Sequence, residues 1–500
     1  MAEVVETTTG SVRGQATDGI RSFKGIRYGA DTGGANRFRP PQPVVPWTGV
    51  RDAFEFAPSC PQPPDRPVGW DPEPSHGEDC LALNVWTPAV GDGGRRPVMV
   101  WLHGGGFAIG SGSWPSYDGA ALARRGDAVV ITVNHRLGIL GYLHLADLAG
   151  EEYAGSGNAG MLDLVAAHAW VRDNVAAFGG DPGNVTIFGE SGGGAKVSYL
   201  LTSPLAAGLF HRAIIQSGPG LRARTPDRAT ARAEKTLAAL GLDASRVAEL
   251  HDVPLRRLQE AESGGQSGSF ARMRFAPVVD GSFLPRQPVE ALDAGVSSDV
   301  PLIIGSNLDE ATLFFAGDRA LRSDGPGLDD AALHGRLVGL GDDAEPIVAA
   351  YRESRPEASN AELYLAIMSD QLMRIPSIRL AEHKLAGGRA RVFSYLFCWA
   401  AGALGSAHGY EIPFVFDNAR PPVLHSSESR QRLADQMSQA WLCFAHTGDP
   451  DHQGIPEWPS YTTDDRATML FDRATTLGFD PYGAERLAWA AVGDDRMGMR

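Results

Sequence analysis

Five hundred residues, 43% of them hydrophobic and 21% charged, supply enough apolar surface for a large buried core and exclude a wholly disordered chain. Forty-five basic residues against 60 acidic ones give a net charge of −15, and no lysine or arginine block offers the basic face that nucleic acid requires. Four cysteines without a CxxC pair, and no HExxH motif, exclude a disulfide scaffold and argue against a metal or other cofactor.

The N-terminal stretch MAEVVETTTGSVRG has neither a basic start nor an apolar run, so no secretory signal is expected. The chain reads as cytoplasmic or as an already mature secreted form, and no run approaches the roughly 18 apolar residues of a membrane span. Proline-rich Cys60–Ser75 reads as an irregular surface loop. Strand-like runs follow at Val98–His103, Ala128–Val133, Val185–Phe188, Ile214–Gln216, Leu302–Ile304 and Val392–Phe397. Helix-compatible spacing lies between them at Gly160–Phe178 and Gly193–Leu201. This alternation predicts an α/β fold, a mostly parallel central sheet with helices on both faces. Length alone suggests about three domain-sized units, but the sheet rhythm persists and argues for one catalytic domain over residues 1–500. The polar, alanine-rich stretch Gly220–Ala271 breaks that rhythm and reads as a helical insertion, a cap over the site or a surface addition.

Gly189-Glu190-Ser191-Gly192-Gly193 follows the strand VTIF and opens a helix, the strand–turn–helix setting of a nucleophile elbow. Such a turn presents Ser191 at the carboxyl edge of the sheet, and the helix N-terminus faces any developing oxyanion. Upstream, His103-Gly104-Gly105-Gly106-Phe107 follows the strand VMVWLH. A glycine run lets backbone N–H groups approach a carbonyl oxygen closely, as an oxyanion hole requires. A serine nucleophile needs a base and an acid, in the chain order serine, acid, histidine. Eight histidines follow Ser191; His446 reads as a helix C-terminal cap, whereas His408 lies in a glycine-flanked loop after a strand. The strand at Leu302–Ile304 runs into Asp309 and Glu310, and chemistry alone does not choose between these two carboxylates.

At these residues the chain resembles the carboxylesterase/lipase (type B, cholinesterase-like) family of α/β-hydrolases, with bacterial p-nitrobenzyl esterases especially similar in length. The marks run nearly end to end: GIRYG, NRFRPP, EDCLALNVW, PVMVWLHGGGF, VNHRLGILGYL, WVRDNVAAFGGDPGNVTIFGESGGG, IIQSG, GSNLDE and HGYEIPFVF. The resemblance implies an α/β-hydrolase fold with helical cap insertions and a catalytic triad of Ser191, Glu310 and His408. It implies oxyanion donors at Gly105, Gly106 and Gly192, support from Glu190 and Ser217, and a disulfide between Cys60 and Cys80. Asp309 is then left as a solvated loop acid. Arg37 with Glu78, and Arg136 with Asp163, match structural ion pairs of the family. Trp70 lies near where cholinesterases stack choline on tryptophan, and Phe314 and Phe315 are pocket wall or core.

The expected activity is cleavage of a small-molecule carboxylic ester through an acyl-enzyme, with no cofactor, nucleic acid or membrane span. A carbamate or amide hydrolase would use the same triad. A catalytically inactive scaffold or adhesion relative would have lost Ser191, Glu310 or His408, and all three are present. The glycines near Ser191 and His103 match neither GK[ST] nor GxGxxG, which argues against nucleotide binding. The family's elbow usually reads Gly-Glu-Ser-Ala-Gly; Gly192 stands where it has alanine, and the missing methyl is expected to enlarge the pocket floor.

Overall fold

The structure is a computed structural model that describes residues 3–62, 75–263, 274–400, 402–418 and 428–498. These residues group into two compact units, Met1–Ala213 with Ala223–Ala291, and Ile214–Arg222 with Leu292–Arg500.

The first unit holds β1 (Glu3–Thr7), β2 (Gly10–Thr17), β3 (Ile20–Arg27), β4 (Val50–Asp52), β5 (Ala82–Thr87), β6 (Arg96–Leu102), β7 (Val129–Val133) and β8 (Gly180–Glu190). Their order is β1-β2-β3-β5-β7-β6-β8, with β4 beside β2. Strands β7, β6 and β8 run parallel, and the steps from β1 to β7 are antiparallel. Every residue of β5, β6 and β7 is buried. Strands covered on both faces read as unbroken apolar runs, which is why β6 and β7 are plain in the sequence. Leu102 pairs with Gly189, so β6 and β8 end level and release the glycine loop and the Ser191 turn side by side.

The insertion forms helices at Pro226–Leu240, Ala244–Asp252 and Leu255–Ser263, all in the first unit. Arg37 anchors it. Its guanidinium pairs with both Glu78 oxygens, at 2.6 and 2.8 Å, and donates to the carbonyls of His251 and Val253 at 3.0 and 2.7 Å. Arg136 likewise grips Asp163 through two side-chain bonds of 2.8 and 2.6 Å, with both groups buried. The end of the insertion, from residue 264, lies outside the described residues, as does Trp70.

The chain passes into the second unit along β9 (Arg212–Gln216), followed by β10 (Leu302–Asn307), β11 (Val392–Phe397), β12 (Ala467–Phe471) and β13 (Thr476–Phe479). Within this unit β10, β11 and β12 are parallel, and β13 turns back antiparallel. Asn307 pairs with Phe397, so the loops after β10 and β11 leave from the same edge. No helix among the described residues is long and apolar enough to cross a membrane.

Candidate active site

Ser191 joins β8 to the helix Gly192–Thr202 with φ 57° and ψ −124°. A non-glycine residue in such a conformation costs on the order of 1–3 kcal/mol and persists only where its surroundings enforce it. Here the enforcement is proximity. A Cβ on Gly193 would lie 1.9 Å from the Leu102 carbonyl oxygen, so no side chain fits between the end of β6 and the helix. Ser191 is buried to 6% exposure.

The adjacent loop has its carbonyls tied down. Gly104 O accepts from His103 Nδ1 at 2.9 Å, and Gly105 O accepts from the N–H groups of Ala108 and Ile109 at 3.3 and 3.2 Å. In a trans peptide the N–H points opposite to the C=O, so the amides of Gly105 and Gly106 face away from these bonds. Gly192 differs from the sequence expectation. A Cβ there would sit 2.1 Å from Gly106 O and 2.5 Å from Gly106 Cα, so the absent methyl is space filled by the loop backbone rather than pocket volume.

The second unit brings Glu310 and His408 together. His408 Nδ1 donates to Glu310 Oε2 at 2.5 Å, and the Asn307 N–H donates to Glu310 Oε1 at 2.7 Å. Glu310 has no exposed surface, and Phe314 packs on the His408 ring at 4.6 Å between centroids. Phe315 instead meets Tyr364. Asp309 is not a solvated loop acid. Its Oδ2 accepts from the Ser406 N–H at 2.8 Å, and its own N–H donates to Ser406 O at 3.1 Å. It fastens the loop that carries His408, and burial raises its carboxyl above the ordinary aspartate value.

Three residues of this network escaped the sequence reading. Asn307 Nδ2 donates to Ala407 O and to Glu411 Oε2, both at 2.7 Å, and Gln216 Nε2 donates to Glu411 Oε1 at 3.1 Å. Burial, reinforced by the charge of Glu310, raises the Glu411 carboxyl above the ordinary glutamate value. Glu411 was visible within HGYEIPFVF, but a charged residue in a loop signature gives no hint of complete burial.

Ser191, Glu190, Gly105, Gly106 and Gly192 belong to the first unit; Ser217, Glu310 and His408 belong to the second. Glu190 is 4% exposed, and its carboxylate lies against Gly104. Ser217 is buried at φ 46° and donates its N–H to Gly305 O in β10 at 2.9 Å. Cys60 and Cys80 are free thiols rather than a bridge. Both are buried, and burial, then the hydrogen bond to Cys80, pushes the Cys60 thiol well up, which keeps it protonated.

The carboxylesterase family model matches residues 1–486. The chain is 35% identical over 495 residues to the para-nitrobenzyl esterase of Bacillus subtilis, covering 97% of this chain and 98% of that protein. It is 36% identical over 485 residues to the phenmedipham hydrolase of Pseudarthrobacter oxydans, covering 93% and 94%. A solved carboxylesterase of Geobacillus stearothermophilus superposes with a TM-score of 0.87 at 41% identity, over 97% of this chain and 99% of that one.

Proposed function

This chain belongs to the carboxylesterase family, has its α/β-hydrolase fold and hydrolyses carboxylic esters, and on that premise we propose that Ser191, His408 and Glu310 are its catalytic triad. The observation that carries the assignment is the buried His408–Glu310 hydrogen bond of 2.5 Å, with Asn307 on the second carboxylate oxygen. That arrangement fixes the Nδ1–H tautomer and leaves Nε2 as the proton acceptor. Ser191 Oγ attacks the ester carbonyl carbon as His408 Nε2 takes its proton. Negative charge on the carbonyl oxygen is held by the N–H groups of Gly105, Gly106 and Gly192. Collapse breaks the acyl–oxygen bond, and the imidazolium gives its proton to the departing alcohol. Water, deprotonated by His408, then releases the acid. Glu190 and Ser217 support the imidazolium. The family model runs through both units, which supports reading residues 1–500 as one catalytic domain with the helical segment inserted.

The test is kinetic. Ser191→Ala should remain folded by circular dichroism, lose turnover of a nitrophenyl acetate and resist a fluorophosphonate probe that labels the parent protein stoichiometrically. Activity within tenfold of the parent would place the nucleophile elsewhere.

A further inference from the structure

Lys196 has no exposed surface, and the mechanism leaves it unused. It lies in the helix that Ser191 opens, and its Nζ donates to His103 O at 2.9 Å and Gly106 O at 3.1 Å. Those carbonyls bracket the loop whose central amides are the proposed oxyanion donors. The other carbonyls of the loop are held by backbone groups and by His103, while Phe107 O accepts from Gly138 N–H at 2.6 Å. Two of the five carbonyls from residue 103 to 107 therefore depend on one ammonium group. The Phe107 ring lies 5.4 Å from Nζ, and burial lowers the lysine to about 7, opposed by the charge of Glu190. The stacked imidazoles of His103 and His135 are held neutral, by burial first and then by the charge of Lys196. A buried ammonium is costly to keep and persists only where its donors are used.

Gly192 supplies an independent observation. The Gly106 peptide occupies the place of a Cβ on Gly192, at 2.1 Å from its oxygen. The same oxygen is the one Lys196 holds. We propose that Lys196 is a positioning residue for the oxyanion hole: its ammonium clamps the 103–106 loop onto the nucleophile helix, and Gly192 is the companion that lets the loop come close enough. The proposal rests on the oxyanion-hole reading and adds what aligns it.

Lys196→Met keeps the length and apolar stem of the side chain and removes its donors. With rates expressed per fluorophosphonate-titrated site, kcat for nitrophenyl acetate and hexanoate should fall about 10²-fold, the scale of losing an oxyanion donor, with KM within threefold. Its Tm should fall as well, because two buried carbonyls lose their donor. Both constants are therefore read on titrated sites well below that Tm, where a purely structural lysine would leave kcat and KM at the parent values. Gly192→Ala should lower kcat similarly on both esters, because the methyl pushes the Gly106 carbonyl off Nζ. The double variant should then be no slower than the slower single one. An unchanged kcat in Lys196→Met, a loss confined to KM, or multiplying losses in the double variant would overturn the proposal. A parent protein unlabelled at Ser191 would instead overturn the triad reading beneath it.

Discussion

At the scale of single residues, Glu310 shows how much depends on which atom faces which. One oxygen receives the His408 Nδ1–H and the other a backbone N–H from Asn307, at 2.5 and 2.7 Å. A carboxylate accepts both; a glutamine amide accepts only one and must aim its NH₂ at the other. Glu310→Gln should therefore favour the wrong imidazole tautomer and lower kcat by up to about 10⁴, with KM little changed. A kcat within threefold would assign the acid to another group, Glu411 being the nearest buried carboxyl in the network. The elbow, the glycine loop and His408 were legible because each stands next to an apolar strand in a short pattern. The choice of Glu310 over Asp309 was not legible from chemistry, since both follow β10 and only the loop's path separates them. Lys196 carried a signal of another kind, a charged residue in the otherwise uncharged run GGGAKVSYLL, where burial is the conflict to be explained.

At the scale of elements, β6, β7, β8, β10 and β11 were readable because buried parallel strands are continuous apolar runs. Strands β1, β2 and β3 were not. Only part of each is buried, and sequences such as EVVET and GSVRGQAT carry at least as many polar residues as apolar ones. Asp309 joins the loop after β10 to the loop after β11. Its raised carboxyl means that the fold disfavours its ionised form, a penalty present in full at neutral pH and relieved as pH falls through the raised value. Asn keeps an acceptor for the Ser406 N–H and removes the buried charge. Asp309→Asn should thus retain kcat and show an equal or higher Tm at pH 7, with the difference shrinking on acidification. Asp309→Ala removes the acceptor, loosens the His408 loop and should lower kcat by up to about 10²-fold. Differential scanning calorimetry across pH, with matched kinetics, checks both; a stability loss in the Asn variant would show that the charge itself holds the loop.

At the scale of the whole molecule, contacts between distant segments decide stability, and no local pattern announces them. In the second unit, His383 on the helix Ile375–Gly387 donates from Nδ1 to Asp293 at 2.7 Å, and its Nε2 lies 3.4 Å from Asp494 near the end of the chain. Arg379, one turn earlier, holds the other Asp494 oxygen at 2.6 Å. From sequence His383 was one histidine among eight after Ser191, without a motif to single it out. Its hydrogen bonds to Asp494 and then Asp293 raise it to about 9, and Asp494 is lowered to about 2, chiefly by His383 and then Arg379. The folded histidine therefore binds its proton more tightly than the unfolded one, whose value is about 6.5. Its stabilisation is complete below about pH 6.5 and is lost as pH rises through about 9. The Asp494 contribution has the opposite sense, present above about pH 4 and lost as pH falls through about 2. Within the neutral range both act together, and solvent screening keeps the sum to about 1–2 kcal/mol. His383→Ala should lower Tm by about 1–3 °C at pH 6 and leave it unchanged at pH 10, while kcat per titrated site stays at the parent value. Calorimetric scans from pH 6 to 10 would read this directly, and a Tm deficit that does not narrow with rising pH would mean that His383 acts by packing and not by charge.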